Sequence, residues 1–336
     1  MKDDIKVSIH CLTYNHEKYV KKTFDGFLAQ KTNFKFEVLV HDDASTDGTV
    51  DIIRQYVDKY PDIFKPIYQV ENQFSKGIKI SYEYNFPRIE GKYLAFCEGD
   101  DYWCDENKLQ KQYDVLEQNP ECSMCTHITK KISNSDEKYL GIIPEHPFKR
   151  GIISSKDYLR YELINGWASQ TSSFFVRSKY IKEYIMEKPR FSQVMIVGDF
   201  PTMLYMINKG DVFFIDEIMS CYRIGSEASF HVLRKNNEFL NLNHIYTLLI
   251  GIEEYNKYTS NRYEQIIRTY MLIKMEQVKE YQKRLEKQYE PYYIREIYSN
   301  RTFRTSLSCF LRRNFKPFYK FLEKIYVKFL FYDKCE

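Results

Sequence analysis

Three short polar clusters contain the residues best suited to chemistry. Residues 98–101 read Glu-Gly-Asp-Asp, residues 42–47 begin with two aspartates, and residues 13–15 read Thr-Tyr-Asn. Carboxylates with open coordination positions suit Mg²⁺ or Mn²⁺, which bridge protein oxygens to substrate phosphates. The cluster at 98–101 leaves two interpretations open: a divalent-metal site, or a solvated acidic turn that stabilises the start of the next helix.

The paired aspartates Asp42 and Asp43 also have two readings. A carboxylate at a strand end can accept hydrogen bonds from the base or ribose of a nucleotide. The surrounding residues are equally typical of a turn that only reverses the chain. The chain contains neither the G-x-x-x-x-G-K-[ST] loop nor the G-x-G-x-x-G loop, so P-loop and dinucleotide-binding Rossmann proteins are excluded.

Alternating apolar runs and helical segments must position these clusters. Helices are predicted from near Glu17, with Asn15 as its cap, and at 50–60 and 107–119, because apolar residues recur there at helical spacing. This alternation is typical of βαβ units and a parallel sheet, whose ligands bind beyond the carboxyl ends of the strands. The three clusters are therefore expected at one edge of the sheet. The strands are predicted at residues 5–12, 36–41, 66–70 and 93–97, with further strands at 172–176 and 212–215.

The same segments carry a family resemblance. Residues 7–15 (VSIHCLTYN), 40–49 (VHDDASTDGT) and 90–103 (EGKYLAFCEGDDYW) resemble, in order and spacing, the motifs of family 2 glycosyltransferases. The resemblance covers about residues 5–125 and continues more weakly to about 230. It implies an inverting enzyme with an α/β, GT-A-like (Rossmann-like) fold: a mostly parallel sheet flanked by helices. A helical C-terminal region would follow that domain.

Carried over by position, the resemblance implies a donor site for a nucleotide sugar. Asp42 or Asp43 would contact the base or ribose. Glu98 and Asp100 stand where the family has its D-x-D motif, although Glu replaces the usual first Asp. Asp100 would anchor a divalent metal (Mn²⁺ or Mg²⁺) and the diphosphate. The residues expected to line the base pocket are Thr13, Tyr14 and Asn15.

Further residues are implied around the reaction centre. Asp101 is a second candidate metal ligand, and Arg223 is expected to pair with the diphosphate. His231, in the polar stretch 225–231, is either a metal ligand or an ordinary surface histidine. Asp199 stands where the family places the base that deprotonates the acceptor hydroxyl. By its position before Phe200 it could equally cap a helix.

The resemblance and the charge pattern predict three regions. Residues 1–235 form the catalytic domain, with donor binding in 1–125 and the acceptor and catalytic base in 126–235, and residues 236–300 are helical. Residues 301–336 form a basic amphipathic helix, since this segment contains nine Lys and Arg residues and three acidic residues. Such a helix suits either an anionic membrane surface or packing on the domain with a solvated basic face.

Composition sets the broad class. Apolar residues make up 43% and charged residues 29% of 336 positions, as in a folded protein. A net charge of +4 does not indicate nucleic-acid binding, and no apolar run is long enough to span a membrane. The start of the chain leaves no room for a secretory signal, and the eight cysteines suit a reducing compartment. A cytoplasmic location is expected, peripheral on the inner face of the membrane if the tail binds it.

The resulting hypothesis is a metal-dependent inverting glycosyltransferase of bacterial surface polysaccharide or lipopolysaccharide synthesis. The donor is expected to be UDP-linked and the acceptor a saccharide or lipid-linked saccharide, on family grounds. Trp103 and Trp167 could each stack on an acceptor sugar or belong to the core. Two alternatives remain: a nucleotidyltransferase, which lacks support because no Gly-rich loop follows the first strand, and an inactive module that binds sugar nucleotides or glycans.

Overall fold

The computed structural model describes residues 5–226, 232–233 and 237–288. Strands and helices alternate through its first part, as the apolar pattern predicts. Short 3₁₀ and π turns connect β3 to β4 at Phe74–Lys76, Ser81–Asn85 and Phe86–Arg88. The elements are β1 (Ile5–Thr13), α1 (Val20–Leu28), β2 (Lys35–Asp42), α2 (Thr49–Lys59), β3 (Phe64–Tyr68), β4 (Tyr93–Phe96), β5 (Tyr102–Trp103) and α3 (Lys108–Gln118).

The second part mixes strands and helices and then becomes helical. A π turn at Tyr161–Asn165 and a 3₁₀ turn at Thr171–Ser173 frame the segment before β9. The elements are β6 (Cys122–Ser133), β7 (Tyr139–Ile143), β8 (Gly151–Ile153), α4 (Ser155–Arg160), β9 (Phe175–Arg177), α5 (Ser178–Glu187), α6 (Arg190–Val194), α7 (Asp199–Lys209), β10 (Asp211–Ile224), α8 (Glu238–Tyr258) and α9 (Glu264–Gln288).

These strands form one mixed sheet in the order β3-β2-β1-β4-β9-β6-β10-β5, with β7 on β6 and β8 on β10. Strands β3, β2, β1 and β4 are parallel, whereas β9 runs antiparallel to both β4 and β6. Thr13 pairs with Asp42 in the register of β1 and β2, so two of the polar clusters leave the sheet side by side. The predicted α/β fold class is confirmed, and β6 and β10 add a second parallel pair beyond the antiparallel strand β9.

A hydrophobic core lies on each face of the sheet. In β4, Tyr93 and Ala95 face one core while Leu94 and Phe96 face the other, as the alternation of a strand requires. Buried strands of this kind form a rigid platform whose loops carry function. Helix α8 contributes Ile252 and helix α9 contributes Ile267 to the core that contains Leu94 and Phe96, so the helical region packs on the sheet domain.

Two predictions of local structure have the right element but the wrong bounds, for tertiary reasons. The helix expected from Glu17 begins at Val20, and its N-cap residue makes no side-chain capping bond. Asn15, expected to cap it, has a φ of 55° and instead accepts a hydrogen bond from the Thr46 amide at 2.8 Å. The strand expected at 212–215 is 14 residues long, Asp211–Ile224, because it pairs along β6.

The structure bears on the predictions about membrane-spanning helices, the basic C-terminal segment and the domain boundary to different extents. Within the ranges that the structure describes, no helix is long and apolar enough to cross a membrane. The predicted basic helix at 301–336 lies outside the described residues, and so does His231. The domain boundary at residue 235 stays a prediction.

Candidate active site

The loops that follow β1, β2 and β4 meet at one edge of the sheet, as predicted. The Thr13 hydroxyl donates a hydrogen bond to Asp42 Oδ1 at 3.0 Å. The Asn15 amide donates to Ser45 Oγ at 2.9 Å, and the Gly99 amide donates to the Leu12 carbonyl at 2.9 Å. The three polar clusters therefore form one continuous surface. Tyr14 is 36% exposed on it.

The carboxylates of Asp42 and Asp43 order the loops at this edge. Asp42 is buried and accepts hydrogen bonds from the Ser45 amide and hydroxyl at 2.9 and 2.5 Å. Asp43 accepts from the amides of Gln73 and Phe74 at 2.7 and 3.0 Å. Burial alone would raise the pKa of Asp43, but hydrogen bonds, including one from His41, outweigh it and lower that pKa. The predicted contacts with a base or ribose stay predictions.

Gly99 permits the tight acidic turn after β4. A Cβ at this position would lie 2.6 Å from Thr13 Cγ2 and 2.8 Å from His16 Nδ1, which leaves no space for a side chain. The two aspartates that follow differ in their surroundings. Asp101 is 1% exposed, and both of its carboxylate oxygens are occupied. The Arg223 amide donates to one at 2.9 Å and the Gln170 side chain donates to the other at 2.8 Å.

The carboxylate of Asp100 differs from that of Asp101 because its oxygens are not used inside the described chain. Asp100 is 6% exposed, and its carboxylate accepts no hydrogen bond from the part of the chain that the structure describes. His16 Nε2 lies 3.9 Å from Asp100 Oδ2. Glu98 is exposed as a whole. Even so, the atoms crowding its carboxyl, and then the charges of Asp100 and Asp199, raise its pKa to about 8.

The described residues at the acidic turn do not by themselves complete a divalent-metal site. In the described ranges, no three His, Cys, Asp or Glu side chains are placed to hold one ion. Asp100 offers free oxygens, and the buried Nδ1 of His16 has no hydrogen-bond partner. Mg²⁺ is commonly held by one or two carboxylates together with substrate phosphates. Asp100 fits that arrangement, whereas Asp101 already uses both oxygens internally.

The Arg223 side chain holds the backbone of the acidic turn at residues 98–101. Its Nε donates to the Asp100 carbonyl at 3.1 Å, and one terminal nitrogen donates to Glu137 at 2.9 Å. The guanidinium also covers the Tyr19 ring at 4.8 Å and the residue is buried. These contacts make Arg223 a positioning residue for Asp100. Its expected pairing with a diphosphate stays a prediction.

Asp199 is exposed at the first turn of α7. Its Oδ2 accepts a hydrogen bond from the Thr171 hydroxyl at 3.2 Å, and its Oδ1 accepts one from the Phe200 amide at 2.7 Å. Thr171 directly follows Gln170, whose side chain donates to Asp101, so Asp199 lies near the acidic turn. The Asp199 charge also contributes to the raised pKa of Glu98. The position allows both readings of the sequence, because a carboxylate at a helix N-terminus also interacts favourably with the helix dipole.

The site includes Gln170, which the sequence did not single out, and also Thr171 and Tyr222, which belong to the weaker stretch of the family resemblance but were given no role. Gln170 and Thr171 contact Asp101 and Asp199, and Tyr222 lies among the acidic side chains. No motif marks Gln170, and the available signal was a run of hydroxyl and amide residues at 169–173 directly before an apolar strand. Such runs occur in many loops, so their role depends on the fold.

Comparison with known proteins identifies the family. The sequence model of the family described as "Glycosyl transferase family 2" matches residues 8–185, more than half of the chain. The chain belongs to glycosyl transferase family 2. This chain is 42% identical over 132 residues to an uncharacterised protein, Rv1520, of Mycobacterium tuberculosis. The alignment covers 39% of this chain and 37% of Rv1520.

Other relatives of this family 2 chain have names from surface-polysaccharide synthesis. The putative teichuronic acid biosynthesis glycosyltransferase TuaG of Bacillus subtilis is 34% identical over 110 residues, covering 33% of this chain and 41% of TuaG. The chain thus aligns with less than half the length of these curated relatives. The S. aureus TarS 1–349 structure in complex with UDP has a TM-score of 0.53 at 18% identity, covering 80% of this chain and 71% of TarS. That likeness shows a shared fold.

Proposed function

We propose that the chain is a metal-dependent inverting glycosyltransferase that uses a nucleoside-diphosphate sugar. One observation carries this proposal: the nearly buried carboxylate of Asp100 accepts no hydrogen bond from the described residues and shares a sheet edge with the exposed carboxylate of Asp199. Membership of family 2 supports the reaction class. The TarS structures, which contain UDP or UDP-GlcNAc, support UDP as the nucleotide.

The donor would lie over the loops after β1, β2 and β4. Thr13, Tyr14 and Asn15 would line the base pocket, next to the ordered carboxylates of Asp42 and Asp43. Asp100 would hold Mn²⁺ or Mg²⁺ together with the diphosphate oxygens. When bound, such an ion acts as a Lewis acid that stabilises the charge of the departing nucleoside diphosphate.

Asp199 would act as the general base. A bond forms between the acceptor oxygen and the anomeric carbon while the bond from that carbon to the diphosphate breaks, and the hydroxyl proton passes to Asp199. The Thr171 hydroxyl orients the carboxylate through one oxygen, and ionised carboxylates retain further acceptor positions. Because the transfer is a single displacement, no covalent intermediate on the protein is required.

The proposed acceptor is a saccharide or lipid-linked saccharide of surface polysaccharide or lipopolysaccharide synthesis. The relatives TuaG of Bacillus subtilis and WfaP, named as a glucosyltransferase acting on a diphosphoundecaprenol-linked sugar, support this setting. The basic segment 301–336 supports a cytoplasmic enzyme bound to the inner face of a membrane. Full-length protein that stays in solution with anionic vesicles at low salt would contradict that placement.

Calorimetry with UDP, GDP, dTDP and CMP, each with and without Mn²⁺, tests the donor site. We expect one diphosphate to bind only with the metal, and Asp100→Ala to weaken binding at least about tenfold. Asp114→Ala is the matched control, because that exposed aspartate on α3 contacts only Gln110 in the described chain. Binding of no nucleotide under any condition would contradict the proposal. Nucleotide-sugar binding without turnover would favour an inactive binding module.

A further inference from the structure

Trp167 is a large aromatic side chain left in solvent beside the acidic site. The chain has two tryptophans. Trp103 is buried and donates its indole N–H to the Ser172 carbonyl at 3.2 Å, whereas Trp167 is 47% exposed. The Trp167 and Tyr222 rings lie 6.0 Å apart at 66°. Edge-to-face pairs of this kind are favourable and expose a broad apolar surface with a polar tip.

The segment that carries the exposed Trp167 side chain is held in place by hydrogen bonds. The Ala168 amide, one residue further on, donates to Glu162 Oε2 at 2.7 Å, and Ala168 itself is fully buried. Gln170 then binds the Asp101 carboxylate at 2.8 Å. Both anchors hold the backbone next to the indole, so the ring is presented to a ligand without a large cost of ordering.

Tyr222 connects this aromatic pair to the reaction centre. Its hydroxyl makes no hydrogen bond to any residue in the described ranges. The amide of Arg223, the next residue, donates to Asp101 Oδ1 at 2.9 Å, so the Tyr222 backbone lies at the acidic turn. Burial, and then the negative charge of four nearby carboxylates, raise the pKa of this phenol. The four carboxylates belong to Asp101, Asp100, Glu98 and Asp199.

The chemistry of this surface favours a neutral sugar. A pyranose ring presents a face of C–H groups, which an indole face can cover, and an edge of hydroxyl groups, which can donate to carboxylates and to a phenol oxygen. An anionic lipid headgroup would be repelled by the same carboxylates. An acyl chain would leave the polar groups at this surface without partners.

We propose that Trp167 and Tyr222 form the acceptor platform of this enzyme. The indole face of Trp167 stacks on a neutral pyranose ring of the acceptor, and the ring edge points its nucleophilic hydroxyl towards Asp199. Glu162 acts as a positioning residue that holds the Trp167 segment. This inference rests on the proposed function, since it names the substrate class for the same site.

Fluorine NMR of protein labelled with 5-fluorotryptophan tests the platform directly. The spectrum contains one resonance from each tryptophan, Trp167→Phe assigns them, and buried Trp103 is an internal reference. The probes are methyl β-glucopyranoside, N-acetylglucosamine and cellobiose, with open-chain sorbitol as control. We expect at least one pyranoside to shift the Trp167 resonance saturably while the Trp103 resonance stays in place.

Two outcomes would overturn the platform in that experiment. One is that no pyranoside moves the Trp167 resonance, or that sorbitol moves it equally. The other is that phosphatidylglycerol vesicles shift it while the sugars do not, which would make Trp167 a membrane contact. Because the readout is binding, it remains informative even if the protein transfers no sugar.

Kinetics separate an acceptor role from a structural one. In Trp167→Ala we expect the acceptor KM to rise about tenfold or more, while the slow hydrolysis of the nucleotide sugar by water is unchanged. Trp167→Phe should recover most of the acceptor affinity because it retains an aromatic face. Leu272→Ala, which removes another exposed apolar side chain on α9, is the matched control.

The kinetic outcomes also distinguish the two hypotheses. An unchanged acceptor KM in Trp167→Ala, or an equal loss of donor hydrolysis, would exclude the platform while leaving the glycosyltransferase proposal intact. If the unmodified protein neither transfers nor hydrolyses any nucleotide sugar, the proposed function fails. The NMR titration then decides alone whether a glycan binds at Trp167.

Discussion

The Gln170 side-chain amide donates a hydrogen bond to Asp101 Oδ2 at 2.8 Å, joining two loops that are 69 residues apart in the sequence. On one side of this bond lies Asp100, the proposed metal and diphosphate ligand. On the other side, the segment leads to Thr171, which contacts Asp199. A single buried hydrogen bond therefore couples the proposed donor half of the site to the proposed acceptor half.

Asp101 and Asp100 should respond oppositely to substitution. Asp101→Ala leaves the Arg223 amide and the Gln170 side chain without partners, and each unpaired buried group costs about 1–3 kcal/mol of unfolding free energy. Asp100→Ala removes a carboxylate that no described residue binds, so stability should be unchanged or increased. Urea unfolding of both variants measures this. Equal destabilisation by the two substitutions would contradict the assignment of Asp101 as the structural member of the pair.

Asp199→Asn should abolish sugar transfer while nucleotide-sugar binding survives. The amide cannot take the proton of the acceptor hydroxyl at neutral pH, yet it keeps an oxygen for the Thr171 hydrogen bond. Transfer assays and calorimetry with the same nucleotide sugar check both halves of the prediction. Asp216→Asn, an exposed substitution within β10, is the control. Retention of more than a few per cent of activity by Asp199→Asn would rule out the role of general base.

Gly99→Ala should weaken donor binding and destabilise the fold. The new methyl group would press on Thr13 Cγ2 and His16 Nδ1, and it would also lie 3.2 Å from the Leu12 carbonyl. Overpacking of a buried site typically costs about 1–3 kcal/mol. Gly198→Ala is the control, because a Cβ at that position meets nothing within 4 Å. Thermal unfolding and nucleotide affinity measure the effect, and wild-type values for Gly99→Ala would show that the turn is looser than the structure indicates.

Glu162 should make stability depend on pH. Burial, and then the charge of Asp199, raise its pKa from 4.5 to about 8, against the Ala168 hydrogen bond and the charge of Lys274. The folded state thus keeps a proton that the unfolded state releases, so this residue's contribution to stability is present below about pH 4.5 and is lost as pH rises towards about 8.

Glu162→Gln isolates that contribution. Its amide oxygen can still accept the Ala168 hydrogen bond, but it has no titrating proton. Relative to this variant, the unmodified protein should lose stability steadily from about pH 4.5 to about pH 8 and change little above that range. Urea unfolding at several pH values measures the difference. Parallel curves for the two proteins would mean that the pKa of Glu162 is not raised.

Much of the fold and part of the site could be predicted from local patterns. The runs at residues 5–12 and 36–41 contain enough β-forming apolar residues to predict buried strands, and they lie within β1 and β2. Parallel strands must place their carboxyl ends at a common edge, so the proximity of the acidic clusters also follows. The antiparallel insertion of β9 between β4 and β6 has no local signal, because strand pairing is a contact between distant segments.

The sequence by itself determined which residue types stand at the strand ends and which family motifs they form. Only the tertiary structure decided which of these side chains are held by internal hydrogen bonds and which are left free. Asp100 and Asp101 are adjacent and chemically identical, yet the Arg223 amide, 122 residues away, and Gln170 occupy one carboxylate and leave the other free. A side chain's role depends on which partners reach it in three dimensions, and those partners come from loops whose approach no local pattern encodes.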